Sequence, residues 1–341
     1  MTSVLTSVPS PVERHTTLIA FSLWTTHGPE ASLLAQADLP HLSAWLAQSL
    51  RVEVQVDPVQ EPLLATLSPP HERAWALAVG WPVMDGALPW AAHAAATRGL
   101  SAGNAQDNWA FITLCNWHVS NGQVTLGDPA LLQIDQATDA ALLQAMQSFF
   151  AEDGIDLYPY LPGQWLAQSP LLAGLATASL DRVIGRNIDP WLVGGHVGTD
   201  ALNPASKLLR RLQNEMQMLL YTHPVNEGRS LTLNSFWVHG TGALSAPPVH
   251  RQEPTLIQTL RQSALQQDLV GWLDAWQHVD AHVIAPMLTT GAASKPHRLV
   301  LCGEHEFHVY DSAPPSLWQR VRTRFAPTSL DTVLAVAPLK D

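Results

Sequence analysis

Short, continuous apolar runs alternate along this chain with stretches whose apolar residues recur every three to four positions. Residues 17–24 (TLIAFSLW) and 109–115 (WAFITLC) are of the first kind, which suits strands buried on both faces. Residues 39–50 are of the second kind, with Leu39, Leu42, Trp45, Leu46 and Leu50 at helical spacing. Pro69-Pro70 opens another helix that Gly80 ends. Strands and helices follow one another with no fixed-period repeat, which restricts the chain to an α/β layer fold.

Further elements follow from the same rules. Asn121-Gly122 marks a hairpin before a strand at 123–126, a helix spans 139–150, and a second hairpin covers 155–167. A long helix is expected over 206–222, a strand over 231–239, a helix from 255 to about 285, a hairpin over 298–310 and a closing helix over 315–324. Residues 1–15 read as a disordered lead, and the Gly-rich stretch 194–204 is the expected break between an N-terminal portion (16–193) and a C-terminal portion (205–341) packed as one globular unit.

With 341 residues, 46% hydrophobic and 14% charged, the chain has ample material for a large core. Its 13 tryptophans fit that picture, with Trp45, Trp75, Trp90 and Trp109 expected in core and junction positions. A net charge of −11 argues against direct nucleic-acid binding, which needs a basic stripe. The local basic group Lys207, Arg210 and Arg211 reads as a solvated helix face. Two cysteines, Cys115 and Cys302, rule out a disulfide framework and a cysteine-based zinc site. No stretch reaches the roughly 18 apolar residues of a membrane span, so a cytoplasmic location without membrane contact is expected.

The richest segment runs from Arg211 to Gly242. On the helix over 206–222, Leu208, Leu212, Met216, Leu219 and Leu220 form an apolar stripe, with Glu215 at its edge. A carboxylate there needs a partner, and Arg211 one turn earlier can supply it. Pro224 ends the helix and gathers His223, Asn226 and Arg229 into a connecting loop, where binding groups tend to sit. On the following strand Asn234 must satisfy its amide, and Ser235 faces the other way with Trp237 and His239. Gly240 and Gly242 then allow close backbone approach to a bound group. The expectation is one polar hollow in which Arg211 and Arg229 meet negative charge and Asn226 and Asn234 orient it.

Other constellations are weaker. Asp274, His278 and His282 stand at i, i+4 and i+8 along one helix face, a spacing that could serve a metal site. No glutamate follows the first histidine as in zinc-peptidase helices, and a solvated face accounts for the pattern more simply. His305 and His308 fall on opposite strand faces. Cys115 beside His118 reads as inert packing. The chain contains no Walker loop, dinucleotide fingerprint or nucleophile elbow.

The runs RRLQNEMQMLLYTHPVN (210–226) and LNSFWVHGTG (233–242) resemble the signature of RpfE-type regulatory proteins of proteobacteria, some of which are described as cofactor-independent phosphoglycerate mutases. SPPHERAWALAVG (68–80), DGALPWAA (85–92), FAEDGIDL (150–157), ATASLDRVIGR (176–186) and LCGE (301–304) extend the likeness over most of the chain. The resemblance implies a three-layer α/β domain like a reduced alkaline-phosphatase or phosphoglycerate-mutase core, with added β-hairpins. Such enzymes hold two metals with carboxylates and histidines and use a Ser or Thr nucleophile. Here the first strand offers no aspartate, and neither Asp-Ser-Gly nor Gly-His-Asp occurs. The expectation is therefore a regulatory or adaptor protein that binds a small anion or a protein partner on a scaffold that has lost metal-dependent phosphoryl transfer. Family genes neighbour a single-strand DNA exonuclease gene, which implies a partner in a DNA-repair pathway. The alternative is a divergent mutase or phosphatase whose divalent metal is held by ligands drawn from His223, His239, Asp274, His278 and His282.

Overall fold

The computed structural model describes residues 14–26, 30–57, 66–120, 122–193, 204–244, 253–290, 296–312 and 330–336. In chain order its elements begin with β1 (His15–Ile19), β2 (Trp24–Thr25), α1 (Glu30–Leu34), α2 (Pro40–Ala47) and β3 (Ser49–Val56). Next come α3 (Pro70–Val79), α4 (Trp90–Thr97), β4 (Trp109–Cys115), β5 (Trp117–Ser120), β6 (Gln123–Leu126) and α5 (Gln136–Glu152). Then follow β7 (Asp156–Leu161), β8 (Gln164–Gln168), α6 (Leu180–Val183), α7 (Pro204–Tyr221) and β9 (Ser235–Gly242). The described chain closes with β10 (Thr255–Ile257), α8 (Arg261–Leu265), α9 (Leu269–Val279), α10 (Ala285–Thr290), β11 (His297–Cys302), β12 (Glu306–Ser312), α11 (Asp331–Leu334) and β13 (Ala335–Val336). The class is mixed α/β, as the alternation predicts.

The chain divides into two compact units, but not at 194–204. One unit joins residues 1–56 to 252–340, and the other is the continuous stretch 57–251. The reason is strand pairing: β1 lies between β10 and β11 and runs parallel to both, which ties the start of the chain to its last third. That sheet has the order β10-β1-β11-β12-β3. The second unit carries an antiparallel sheet ordered β7-β8-β4-β9 and the separate β5–β6 hairpin.

Several elements differ from expectation for local reasons. The run 17–24 is not one strand, because Phe21 adopts φ 57° and the backbone turns after Ile19. Ser22 fixes the turn: its hydroxyl donates to Ile19 O and accepts from Cys302 N at 2.7 Å. The helix expected over 39–50 stops at Ala47, and SLRVEVQV forms the edge strand β3, most of whose side chains are exposed. Residues 255–257 pair with β1 instead of starting a helix. The 109–115 and 123–126 strands belong to different sheets, and β5 is the hairpin partner of β6. The 315–324 helix and nearly all of the 1–15 and 194–204 segments lie outside the described residues.

Each unit has its own core. In the first, Trp45, Trp272, Trp276, Leu299 and Leu301 pack together. In the second, α7 lays Leu209, Leu212, Met216 and Leu220 against Phe150, Trp165 and Phe236. The first core is pinned by a turn of π-helix over Asp280–Ile284, which follows α9. Its Asp280, 3% exposed, accepts from Leu42 N at 2.6 Å and His41 N at 3.2 Å at the start of α2. Pro40 brings no N–H, and the next two donors of that helix end both go to the carboxylate, whose charge also suits the positive end of the helix. We expect Asp280→Ala to cost about 2–3 kcal/mol, read as a lower denaturant midpoint, with Asp280→Asn intermediate.

Candidate functional site

The segment from Arg211 to Gly242 folds around the protein's own groups. Arg211 points outward from α7, pairs with Asp153 at the end of α5, and reaches Glu215 at 3.5 Å. His223 Nδ1 accepts from Val225 N at 3.1 Å, capping the single 3-10 turn Pro224–Asn226. Asn226 donates to Leu220 O (2.9 Å) and Leu233 O (2.8 Å) and accepts from Leu233 N (2.7 Å), joining the end of α7 to the run-in of β9. Arg229 donates to Val225 O and Leu132 O. Asn234 accepts from Trp117 N (2.7 Å) and donates to Trp117 O (2.9 Å), imitating one more rung of a ladder. Ser235 is fully buried and pairs in register with Cys115.

The expected polar hollow is thus not assembled. Arg211 and Glu215 meet a surface carboxylate and each other, while both asparagine amides are taken by backbone. Both amides are half-buried, and the nearest main chain satisfies them.

The glycines lead elsewhere. They lie inside β9 rather than beyond it. Gly240 has φ 63°, and a Cβ there would sit 3.0 Å from Phe111 Cδ2 and 3.1 Å from Trp90 Cβ. Gly242 similarly clears Pro89. A side chain at either position would push the start of α4 off the sheet.

That close approach forms one wall of a cavity of about 320 Å³ lined by Trp75, Trp90, His93, Thr97, Arg98, Phe111 and Tyr160, together with Ala94. Helix α4 supplies Trp90, His93, Ala94 and Thr97 at i, i+3, i+4 and i+7, so one face of the helix lines the space. Trp75 comes from α3, Phe111 from β4 and Tyr160 from β7. The rings contact one another: Trp75 to Trp90 at 4.5 Å, Phe111 to Tyr160 at 5.3 Å, and Trp81 to both Trp90 and His93. Arg98 holds its guanidinium carbon 4.3 Å from the Tyr160 ring centre. Trp45, Trp75 and Trp109 are buried as expected, Trp75 also lining this space, while Trp90 is only half-buried and walls it.

Behind Trp75 lies a buried polar network. His71, Glu72 and Arg73 occupy the preceding turn of α3. His71 Nε2 meets Asp181 at 3.2 Å, and Ser179 donates to Glu72 at 2.5 Å. Burial pushes the Glu72 carboxyl above its usual range, against the pull of His71 and the Ser179 hydroxyl. Arg73 and Arg182 share Asp57. Phe111 also contacts the His239 ring at 5.2 Å. Desolvation pushes His239 down to about 4, despite the opposing charge of Asp181, and its Nε2 shares a hydrogen bond with Thr113 Oγ1 at 2.9 Å.

The candidate metal ligands do not converge. His278 and His282 stack ring on ring at 4.1 Å, and His282 Nδ1 faces His278 O. Asp274 is exposed on the same helix. His223 and His239 have the structural roles just described. Among the described residues, no group of three or more His, Cys, Asp or Glu is arranged to hold a metal ion. No described helix is long and apolar enough to cross a membrane. Both cysteines are buried.

No protein-family model matches the chain, and no curated protein matches it. Among solved structures it is similar to a cofactor-independent phosphoglycerate mutase from Thermoplasma acidophilum DSM 1728 at 13% identity. That match covers 87% of this chain and 89% of the other, with a TM-score of 0.35. It is also similar to the PH0037 protein from Pyrococcus horikoshii at 12% identity, over 90% and 89% of the two chains, with a TM-score of 0.44. The structural relation is distant.

Two outcomes follow from the geometry. Asn226→Ala and Asn234→Ala should each lower stability by about 1–2 kcal/mol, measured by chemical denaturation, because each removes two or three hydrogen bonds to half-buried backbone groups. For His239, the folded ring resists protonation until about pH 4 while the unfolded ring takes a proton near 6.5. Its contribution is therefore complete above pH 6.5 and is lost as the pH falls toward 4. With partial solvent access allowed for, that loss is on the order of 2 kcal/mol. His239→Gln should flatten the fall in melting temperature over this window.

Proposed function

We propose that this chain is a cytoplasmic regulatory or adaptor protein that acts by binding, and that its site is the aromatic cavity between α3, α4, β4 and β7. The open, ring-walled space carries this conclusion. Its volume lies at the lower end of the range for small-ligand sites, and its walls combine apolar surface with a few polar groups. Among the described residues, no carboxylate or thiol lines it, so what is described there offers no paired acid and base of a hydrolytic centre. The likeness of the sequence to RpfE-type proteins supports the regulatory side of this reading. A scaffold of reduced phosphatase-superfamily type, turned from phosphoryl transfer to recognition, is part of the same proposal.

The test is a ligand-observed NMR screen of a chemically mixed fragment set against the wild type and Thr97→Trp. Thr97 is exposed at the rim of the cavity, so a bulky ring there fills the space without disturbing the core. Fragments that bind the wild type should weaken at least tenfold in the variant, with an unchanged melting temperature. Turnover of phosphoglycerate or a generic phosphate ester, stimulated by added manganese and unaffected by Thr97→Trp, would overturn the proposal.

A further inference from the structure

The cavity's charge and shape narrow the kind of molecule it takes. Its walls are ring faces and ring edges, with Trp75 and Trp90 in close contact and Phe111 beside Tyr160. Stacking on such walls favours a flat ring, because offset and edge-to-face contacts both add to simple burial. An aromatic cage of this kind often holds a quaternary ammonium group. Here the cation's place over Tyr160 is already filled by the protein itself, since Arg98 sits on that ring. A second positive charge at that distance would be repelled.

Arg98 also has donors to offer. It is exposed, and its hydrogen bond to Pro159 O is long, at 3.5 Å. A guanidinium stacked on an aromatic face keeps its in-plane N–H groups free for a bidentate oxyanion. Arg98 follows the last turn of α4, at the rim, so an anion would lie near the opening while the attached ring enters among Trp75, Trp90 and Phe111. A space of about 320 Å³ suits one or two fused rings and is too small for a dinucleotide.

We infer that the cavity binds a planar aromatic or heteroaromatic compound bearing one oxyanion, with the ring stacked among Trp75, Trp90, Phe111 and Tyr160 and the oxyanion held by Arg98. This rests on the cavity being the binding site, and it adds the chemical class of the ligand. Carboxylate and phosphate share the recognition chemistry, so both belong among the probes.

The experiment is calorimetric titration of the full chain with 2-naphthoate, 2-naphthyl phosphate, the neutral 2-naphthamide and phenyltrimethylammonium. We expect at least one of the two anions to bind ten times more tightly than the amide. Arg98→Met, which keeps the apolar stem, should erase that preference while leaving amide affinity within twofold. Tyr160→Leu should weaken the anions and the amide alike, at least fivefold. Equal affinity for anion and amide, or a preference that survives Arg98→Met, overturns the ligand class while leaving the cavity as the site. Tightest binding of phenyltrimethylammonium overturns it in favour of a cation cage. If none of the four probes binds the wild type, both the ligand class and the cavity as the site fall.

Discussion

Asp57 holds two guanidinium groups in the interior of the second unit, and the position of the cavity depends on it. Arg182 is 1% exposed and Asp57 3% exposed, so neither charge could remain there alone. Arg182 donates to Asp57 at 2.9 Å and to Thr66 at 2.7 Å, and Arg73 reaches the same two partners. Arg73 belongs to α3, and its neighbours His71 and Glu72 are tied to Asp181 and Ser179. The polar turn of α3 is thereby fixed to α6 and the residues before it. Trp75 lies one turn further along and enters the cavity as its rear wall. Pairing of this kind contributes little net stability, because desolvation offsets the attraction, but it permits few alternative placements of the helix.

Much of the fold was legible in the sequence wherever one residue pattern met one environment. The stripe on α7, the fully buried β4, the hairpin of β7 and β8 and the pair β11–β12 all have patterns set by local burial. β3 carries a strict alternation, Leu50, Val52, Val54 and Val56 against Arg51, Glu53 and Gln55, so its strand character was legible even though most of its side chains are exposed; the helical spacing over 39–50 masked where it begins. Residues 255–257 were read as helix because three residues carry no period, and their strand character comes from pairing with β1. Nothing local announces a partner so distant. The break at 194–204 was chosen for its glycines, whereas the true division follows that same pairing.

The candidate site shows the same limit. The requirement that Asn226 and Asn234 be satisfied was readable, but whether backbone or ligand would do it was not. Gly240 signalled close approach correctly, and what approaches is Trp90 rather than a ligand. The cavity itself is built from four separated elements, so its sequence signal was faint. The spacing of Trp90, His93, Ala94 and Thr97 was present in WAAHAAAT (90–97), yet a tryptophan is ordinarily counted as core. Three-dimensional placement alone shows that Trp75 and Trp90 leave a space between themselves and Tyr160.

The pairing of β1 with strands from the last third of the chain shapes how the protein must be made. β1 leaves the ribosome well before its partners, since about 240 residues separate Ile19 from Thr255 on its first neighbour. At roughly 5–20 residues per second, that strand waits on the order of ten to fifty seconds with the N–H and C=O groups of both edges unpaired. The inserted unit, being continuous, meets no such delay and is free to fold as it emerges. Newly synthesised copies therefore pass through a stage with one half finished and the other still searching, when chaperone capture or mispairing between neighbouring nascent chains competes with completion.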